Sequence, residues 1–129
     1  MNRIERFEDI VAWQKARVLA KDVYAAAKLG PFARDYGLRD QIQRASVSTM
    51  ANIAEGFERG GDREFAQFLS NSKGSCGEVK SHLYVALDQD YISPEAFNKL
   101  YASADDVGKL VFGFMTYLRQ SPLRGRKFQ

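Results

Sequence analysis

The chain has 129 residues, 45% hydrophobic and 27% charged, which is enough for one domain and too few for two ordinary ones. Such a composition excludes a disordered chain and a collagen-like repeat, and a single cysteine, Cys76, excludes a disulfide scaffold. The formal net charge of +3 is concentrated in Arg119, Arg124, Arg126 and Lys127, in a final stretch without acids, so the body of the chain is close to neutral.

No apolar stretch approaches the ~20 residues a membrane helix needs, and Met1 to Ile10 carries Arg3, Glu5, Arg6, Glu8 and Asp9 where a signal peptide would be apolar. The expectation is a cytoplasmic protein with no membrane role; a lone thiol fits a reducing compartment.

Three punctuation points, Gly30-Pro31, Gly60-Gly61-Asp62 and Asp90 to Pro94, divide the chain into four segments. The first, about 8–29, places Trp13, Ala16, Ala20, Val23 and Ala27 on one helical stripe and stops at Gly30, where a left-handed cap precedes a proline. The second, about 35–58, repeats the pattern with Leu38, Ile42, Ala45, Thr49, Ile53 and Phe57. The third, about 62–89, is capped by Asp62 and carries Phe65, Leu69, Ser72, Cys76, Val79, Leu83 and Ala86 at steps of four and three. Ser93-Pro94-Glu95 starts the fourth, about 94–119, with Phe97, Leu100, Ala104, Val107, Val111, Phe114 and Leu118 as its stripe. The basic stretch 120–129 is a tail. Four amphipathic helices with short connections predict an all-α, up-down-up-down antiparallel four-helix bundle in a single domain.

The faces away from these stripes carry further apolar residues. Tyr101 and Phe112 widen one edge of the fourth helix, while Leu110, Phe114 and Tyr117 widen the other. Val11 and Val18 stand seven apart on the outer face of the first helix, and the third has Gly74, Gly77, Ser81 and Val85 opposite its core stripe. Glycine within a helix costs about 0.5–1 kcal/mol relative to alanine, so Gly74 and Gly77 mark either a bend or the approach of a second backbone. With the surplus on the fourth helix, these residues predict a closed homo-oligomer.

Polar residues form a second pattern. Gln41, Ser48, Asn52 and Glu55 flank the core of the second helix, and Asn71, Ser75, Glu78 and His82 flank that of the third. If the two helices are neighbours, these stripes meet in a hydrogen-bonded seam or, alternatively, form a binding or reactive site.

Nothing in the sequence assembles a catalytic site. His82, the one histidine, lies six residues and about 120° from Cys76 on the same helix. Glu78 and His82 occur once at a spacing that di-iron bundles do not use, and Asp105-Asp106 point about 100° apart. No phosphate loop occurs; Gly56, Gly60 and Gly61 read as the end of the second helix. No cofactor, metal or small-molecule substrate is expected.

The remaining functional signal is basic. Arg17, Lys21 and Lys28 share a face of the first helix, Arg39 and Arg44 lie on the second, and Lys73 and Lys80 share a face of the third. With Arg124, Arg126 and Lys127 these are candidates for contact with a phosphate backbone, or else a solvated exterior.

Asn52-Ile53-Ala54-Glu55-Gly56, preceded by Gln41-Ile42-Gln43-Arg44-Ala45-Ser46-Val47-Ser48, resembles the signature of the bacterial four-helix proteins encoded by intervening sequences of 23S ribosomal RNA genes. Phe7 to Trp13, Tyr24, Gly37-Leu38 and Gly74-Ser75-x-x-Glu78 follow the same order, so the similarity spans nearly the whole chain. Relatives include the accessory variability determinant of diversity-generating retroelements. The chain departs from the pattern at Phe32-Ala33-Arg34-Asp35, where a Pro-Glu-like helix start is missing, and at Met50 and Cys76. The resemblance implies a ring-like homopentamer without known enzymatic activity; for the retroelement relative it implies binding of a reverse transcriptase and of nucleic acid. The expected function is a non-enzymatic oligomeric scaffold or accessory protein engaging RNA, DNA or a nucleic-acid enzyme. A protein–protein interaction module without a nucleic-acid role is the alternative.

Overall fold

Before any long helix forms, Asp9 closes a single 3-10 turn, Phe7–Asp9, in the computed structural model, which describes residues 4–120. Its carboxylate accepts from the backbone N–H groups of Glu5 and Arg6 at 3.0 and 3.1 Å, which holds it below the usual carboxylate range. Five helices follow: α1 (Val11–Ala27), α2 (Gly30–Arg34), α3 (Tyr36–Arg59), α4 (Asp62–Asp88) and α5 (Pro94–Gln120). Among the described residues there is no strand, so the chain is all-α.

The first helix is shorter than its pattern suggests. Ile10 adopts an extended backbone between the 3-10 turn and α1, so residues 8–10 do not join the helix. At the other end Gly30 takes the left-handed conformation expected of it (φ 52°), but the chain does not then run straight to the next long helix. Pro31 occupies the first turn of the five-residue α2, which sequence periodicity had no length to register. Phe32 of α2 is buried and stacks on Tyr91 with ring centroids 5.4 Å apart.

Local chemistry sets the remaining boundaries. Asp35 starts α3 by accepting from the Leu38 N–H at 3.1 Å, so the missing Pro-Glu pattern is replaced by an ordinary side-chain cap. Gly60 ends α3 at φ 88°, and Gly61, rather than Asp62, is the cap of α4. Gly56 is not part of this terminus; it lies inside α3, facing Phe65 and Phe68 of α4. Ser93 accepts from the Ala96 N–H at 3.0 Å and begins α5.

The α3 and α4 stripes expected from periodicity are all buried, Leu38 to Phe57 and Phe65 to Ala86. On α5, Met115 is buried and Phe114 only half-buried, because its ring turns edge-on to Phe65 (5.2 Å) and Tyr117 (6.2 Å) at the rim. Trp13 likewise leaves the core to Ala12 and Leu19 and packs edge-on against Phe7 at 5.1 Å. Around one hydrophobic core, α3 packs on α4, α4 on α5, and α1 on both α3 and α5, so each long helix borders two others. No helix among the described residues is long and apolar enough to cross a membrane.

Candidate functional site

The α4–α5 pair does not close completely, because both helices present glycine along their shared border. A Cβ on Gly77 would meet nothing within 4 Å, and one on Gly108 would meet only the Cys76 Cβ at 3.8 Å. The result is a groove of about 410 Å³ lined by Lys73, Cys76, Gly77, Lys80, Asp105, Gly108, Lys109 and Phe112.

Charge in this groove is one-sided. Lys80 donates to one carboxylate oxygen of Asp105 at 2.7 Å and Lys109 approaches the other at 3.1 Å. These contacts lower the Asp105 pKa, through Lys80 first and then Lys109, and the Asp105 hydrogen bond raises that of Lys80. Three lysines against one aspartate leave two positive charges. The ammonium groups also sit on aromatic rings: Lys80 lies 5.1 Å from the Tyr101 centroid and Lys73 lies 5.9 Å from that of Phe112. Phe112 is 52% exposed, and Tyr101 extends into a cluster with Phe97 and the half-exposed Tyr84. At the base of the groove Cys76 is buried, which pushes its thiol pKa up and leaves it a poor nucleophile.

The basic residues singled out in the sequence do not form one surface. Arg17 and Lys21 are exposed on α1 and Lys28 at its C-cap, with Arg17 lying 5.9 Å from the Trp13 ring centroid. Arg39 is committed to the start of α3: its guanidinium bonds Asp40 at 3.3 Å and the Ala33 carbonyl at 3.0 Å, and lies over Tyr36. Arg44 lines a wider groove of about 460 Å³ between α1 and α3, with Tyr24, Asp40, Gln43, Val47 and Ser48, where one acid offsets one base. Arg124, Arg126 and Lys127 lie outside the described residues.

The polar seam is shorter than the sequence suggests. Ser48 and Ser75 hydroxyls meet across α3 and α4 at 2.9 Å, and the Asn52 amide donates to the Ser48 carbonyl at 2.9 Å and hydroxyl at 3.0 Å. Ser72, read as core, donates to the Thr49 carbonyl at 2.7 Å. Gln41, Glu55, Asn71 and Glu78 are exposed instead, and Glu55 pairs with Arg59 at 2.8 Å. His82 is half-buried. Among the described residues no buried side-chain polar atom lacks a partner, so the seam holds the helices and presents no free group to a substrate.

Of the residues expected at subunit contacts, Val11, Val18, Gly74, Gly77, Ser81, Val85, Phe112 and Tyr117 are exposed in the single chain, and Tyr101 is half-buried. Two sets thus converge: Gly77, Tyr101 and Phe112, read as subunit contacts, share one border with Lys73 and Lys80, read as ligand contacts. Sequence reasoning weighed Asp105 only as a partner of Asp106 and passed over Gly108 and Lys109. Gly108 within a helix and the i, i+4 pair Asp105–Lys109 were visible signals; only the packing of α4 on α5 joins them to Lys80. Among the described residues no group of three or more His, Cys, Asp or Glu side chains could hold a metal ion.

The model of the 23S rRNA-intervening sequence protein family matches residues 8–113. Among solved structures, the chain is similar to a protein with unknown function from the S23 ribosomal protein family of Bacteroides thetaiotaomicron VPI-5482. The TM-score is 0.74 at 19% identity, over 81% of this chain and 98% of that one, a likeness of fold. No curated protein matches.

Proposed function

The chain belongs to the 23S rRNA-intervening sequence protein family, and from that premise we propose that it is a non-catalytic, self-assembling scaffold that engages RNA, DNA or an enzyme acting on them. Its protomer is an up-down-up-down four-helix bundle, with α2 as an insertion, and its copies close into a ring, the pentamer that the family resemblance implies. One observation carries this reading: α1 and α5, which pack on each other, both expose large apolar side chains, Val11 and Val18 on one and Leu110 and Tyr117 on the other. A solitary bundle leaves that surface wet, whereas an oligomer hides it. Assigning the subunit contact to this face leaves the α4–α5 groove for a ligand. Cytoplasmic placement goes with the same proposal.

Sedimentation velocity tests the assembly. The expected result is one species several times the protomer mass, dissociated by Val18→Glu together with Tyr117→Glu; a monomer at every concentration overturns it. Salt-sensitive binding of labelled RNA or DNA is the expected companion result. A second reading, a module for a protein partner, draws on the engagement of Arg39, Lys80 and Lys109 with acids of the chain itself. Recovery of one protein partner after nuclease treatment, with no nucleic acid bound by the purified chain, favours that reading.

A further inference from the structure

We propose that the α4–α5 groove is a track for single-stranded nucleic acid, its lysines holding the phosphates and its aromatic rings stacking the bases. This rests on the scaffold reading and names the site and the strandedness of the ligand.

Three features of the groove select that ligand. The first is charge, since two uncompensated positive charges in a concave site attract a polyanion. The second is hydrogen-bonding sense. Lys73, Lys80 and Lys109 are donors only, both Asp105 oxygens are already engaged, and the helix backbones bond internally. The groove therefore offers donors and almost no acceptors. A phosphodiester linkage brings only acceptors to meet these donors, whereas a peptide brings an N–H at nearly every residue that finds few acceptors here.

The third feature is the placement of the rings. Phe112 and Tyr101 stand on α5 eleven residues apart, about 16 Å along the axis, with Lys109 between them on the same helix and, from α4, Lys80 beside the Tyr101 ring and Lys73 beside that of Phe112. That span covers several bases at about 3.4 Å each when stacked. Alternation of cation and aromatic ring is the pattern by which proteins hold single strands without reading sequence. A duplex keeps its bases stacked inside, where Phe112 and Tyr101 could not reach them, and neighbouring helices only about 8–10 Å apart give it no bed.

The test is a fluorescence-anisotropy titration of the full chain with single-stranded RNA and DNA of about 12 nucleotides. A duplex of the same sequence and a Glu/Tyr peptide of equal charge serve as comparisons. The single strands are expected to bind at least tenfold more tightly than either. Phe112→Ala is expected to weaken them about tenfold, and Lys73→Gln to reduce the salt slope by about one phosphate contact. Gly77→Leu, where the side chain has open space, is expected to block the groove without lowering the thermal melt. Lys28→Gln at the C-cap of α1 is expected to change little. Binding that survives Phe112→Ala, Lys73→Gln and Gly77→Leu but falls with Lys28→Gln or loss of residues 121–129 overturns the groove and spares the scaffold's nucleic-acid role. Equal affinity for the duplex, or preference for the peptide, overturns the strandedness. No salt-sensitive binding of any nucleic acid overturns this inference and the nucleic-acid half of the proposed function together.

Discussion

Gly56→Ala tests how closely α3 and α4 approach. A methyl group at that position would stand 2.7 Å from the Phe68 Cβ and 2.9 Å from the Phe65 Cδ1, with the Phe65 carbonyl oxygen at 3.4 Å. Carbon atoms prefer about 3.5–4.0 Å, so roughly 1 Å must be opened. No rotamer change supplies it. The Phe68 Cβ is fixed by its backbone, and Phe65 is held edge-on by Phe57 at 6.2 Å and Phe114 at 5.2 Å. The helices must separate, at about 1–3 kcal/mol for an overpacked core, against a gain of about 0.5–1 kcal/mol from replacing a helical glycine. The expected net loss is about 1–2 kcal/mol, which lowers the melting temperature by about 3–8 °C in a domain of this size. Gly74→Ala is the matched comparison, because its methyl meets nothing within 4 Å and only the helix gain remains. Calorimetry or circular dichroism at one fixed protein concentration reads both, since association also moves the melt. If Gly56→Ala melts at or above Gly74→Ala, the close approach of α3 and α4 at Gly56 is refuted.

Asn52→Ala removes the amide that bonds the Ser48 carbonyl and hydroxyl and is expected to cost about 1 kcal/mol by denaturant titration, whereas Glu55→Ala, on the surface, should leave the midpoint unchanged. Asp35→Ala deletes the α3 cap at a cost of about 0.5–2 kcal/mol, and Asp35→Asn should recover most of it; equal losses in the two variants would show that the cap is not the source. Stability should fall in alkali. The Tyr91 hydroxyl, raised by its bond to Asp35, and the Cys76 thiol, raised by burial, both favour the protonated form in the folded chain. Their contribution is complete below the ordinary thiol and tyrosine values and is lost as pH rises through the folded ones, beginning near about pH 9. Urea midpoints across that range check the decline, which Tyr91→Phe should make shallower. On the acid side, Asp105 is lowered by Lys80 and Lys109, so its contribution is present above the ordinary aspartate value and disappears as pH falls through the folded one.

Periodicity made the α3 and α4 stripes legible because core positions there repeat over more than five turns, a length that chance rarely imitates. It failed where packing is decided by one ring. Nothing local distinguishes Phe114 from Met115; the choice follows from Phe114 meeting Phe65 at the rim. The short α2 escaped for a similar reason, since five residues make little more than one turn. Ser48, Asn52 and Ser75 were recognisable as polar residues near a helix border, but Glu55 and Glu78 sit only a fraction of a turn further out, and that fraction decides between a bonded seam and solvent. The groove was half legible. Lys73, Lys80 and Gly77 stood out on one helix, yet their counterparts Asp105, Gly108 and Lys109 acquire meaning only through the lateral pairing of α4 with α5.

The connection between α3 and α4 is only Gly60 and Gly61. During synthesis, therefore, these helices can zip together as soon as residue 88 is available, with little loop entropy to overcome. The lysine groove cannot exist at that moment, since its second wall belongs to α5, which is made later. Possession of the groove thus reports that the final described helix has docked, and a partner that recognises it would ignore nascent or clipped chains.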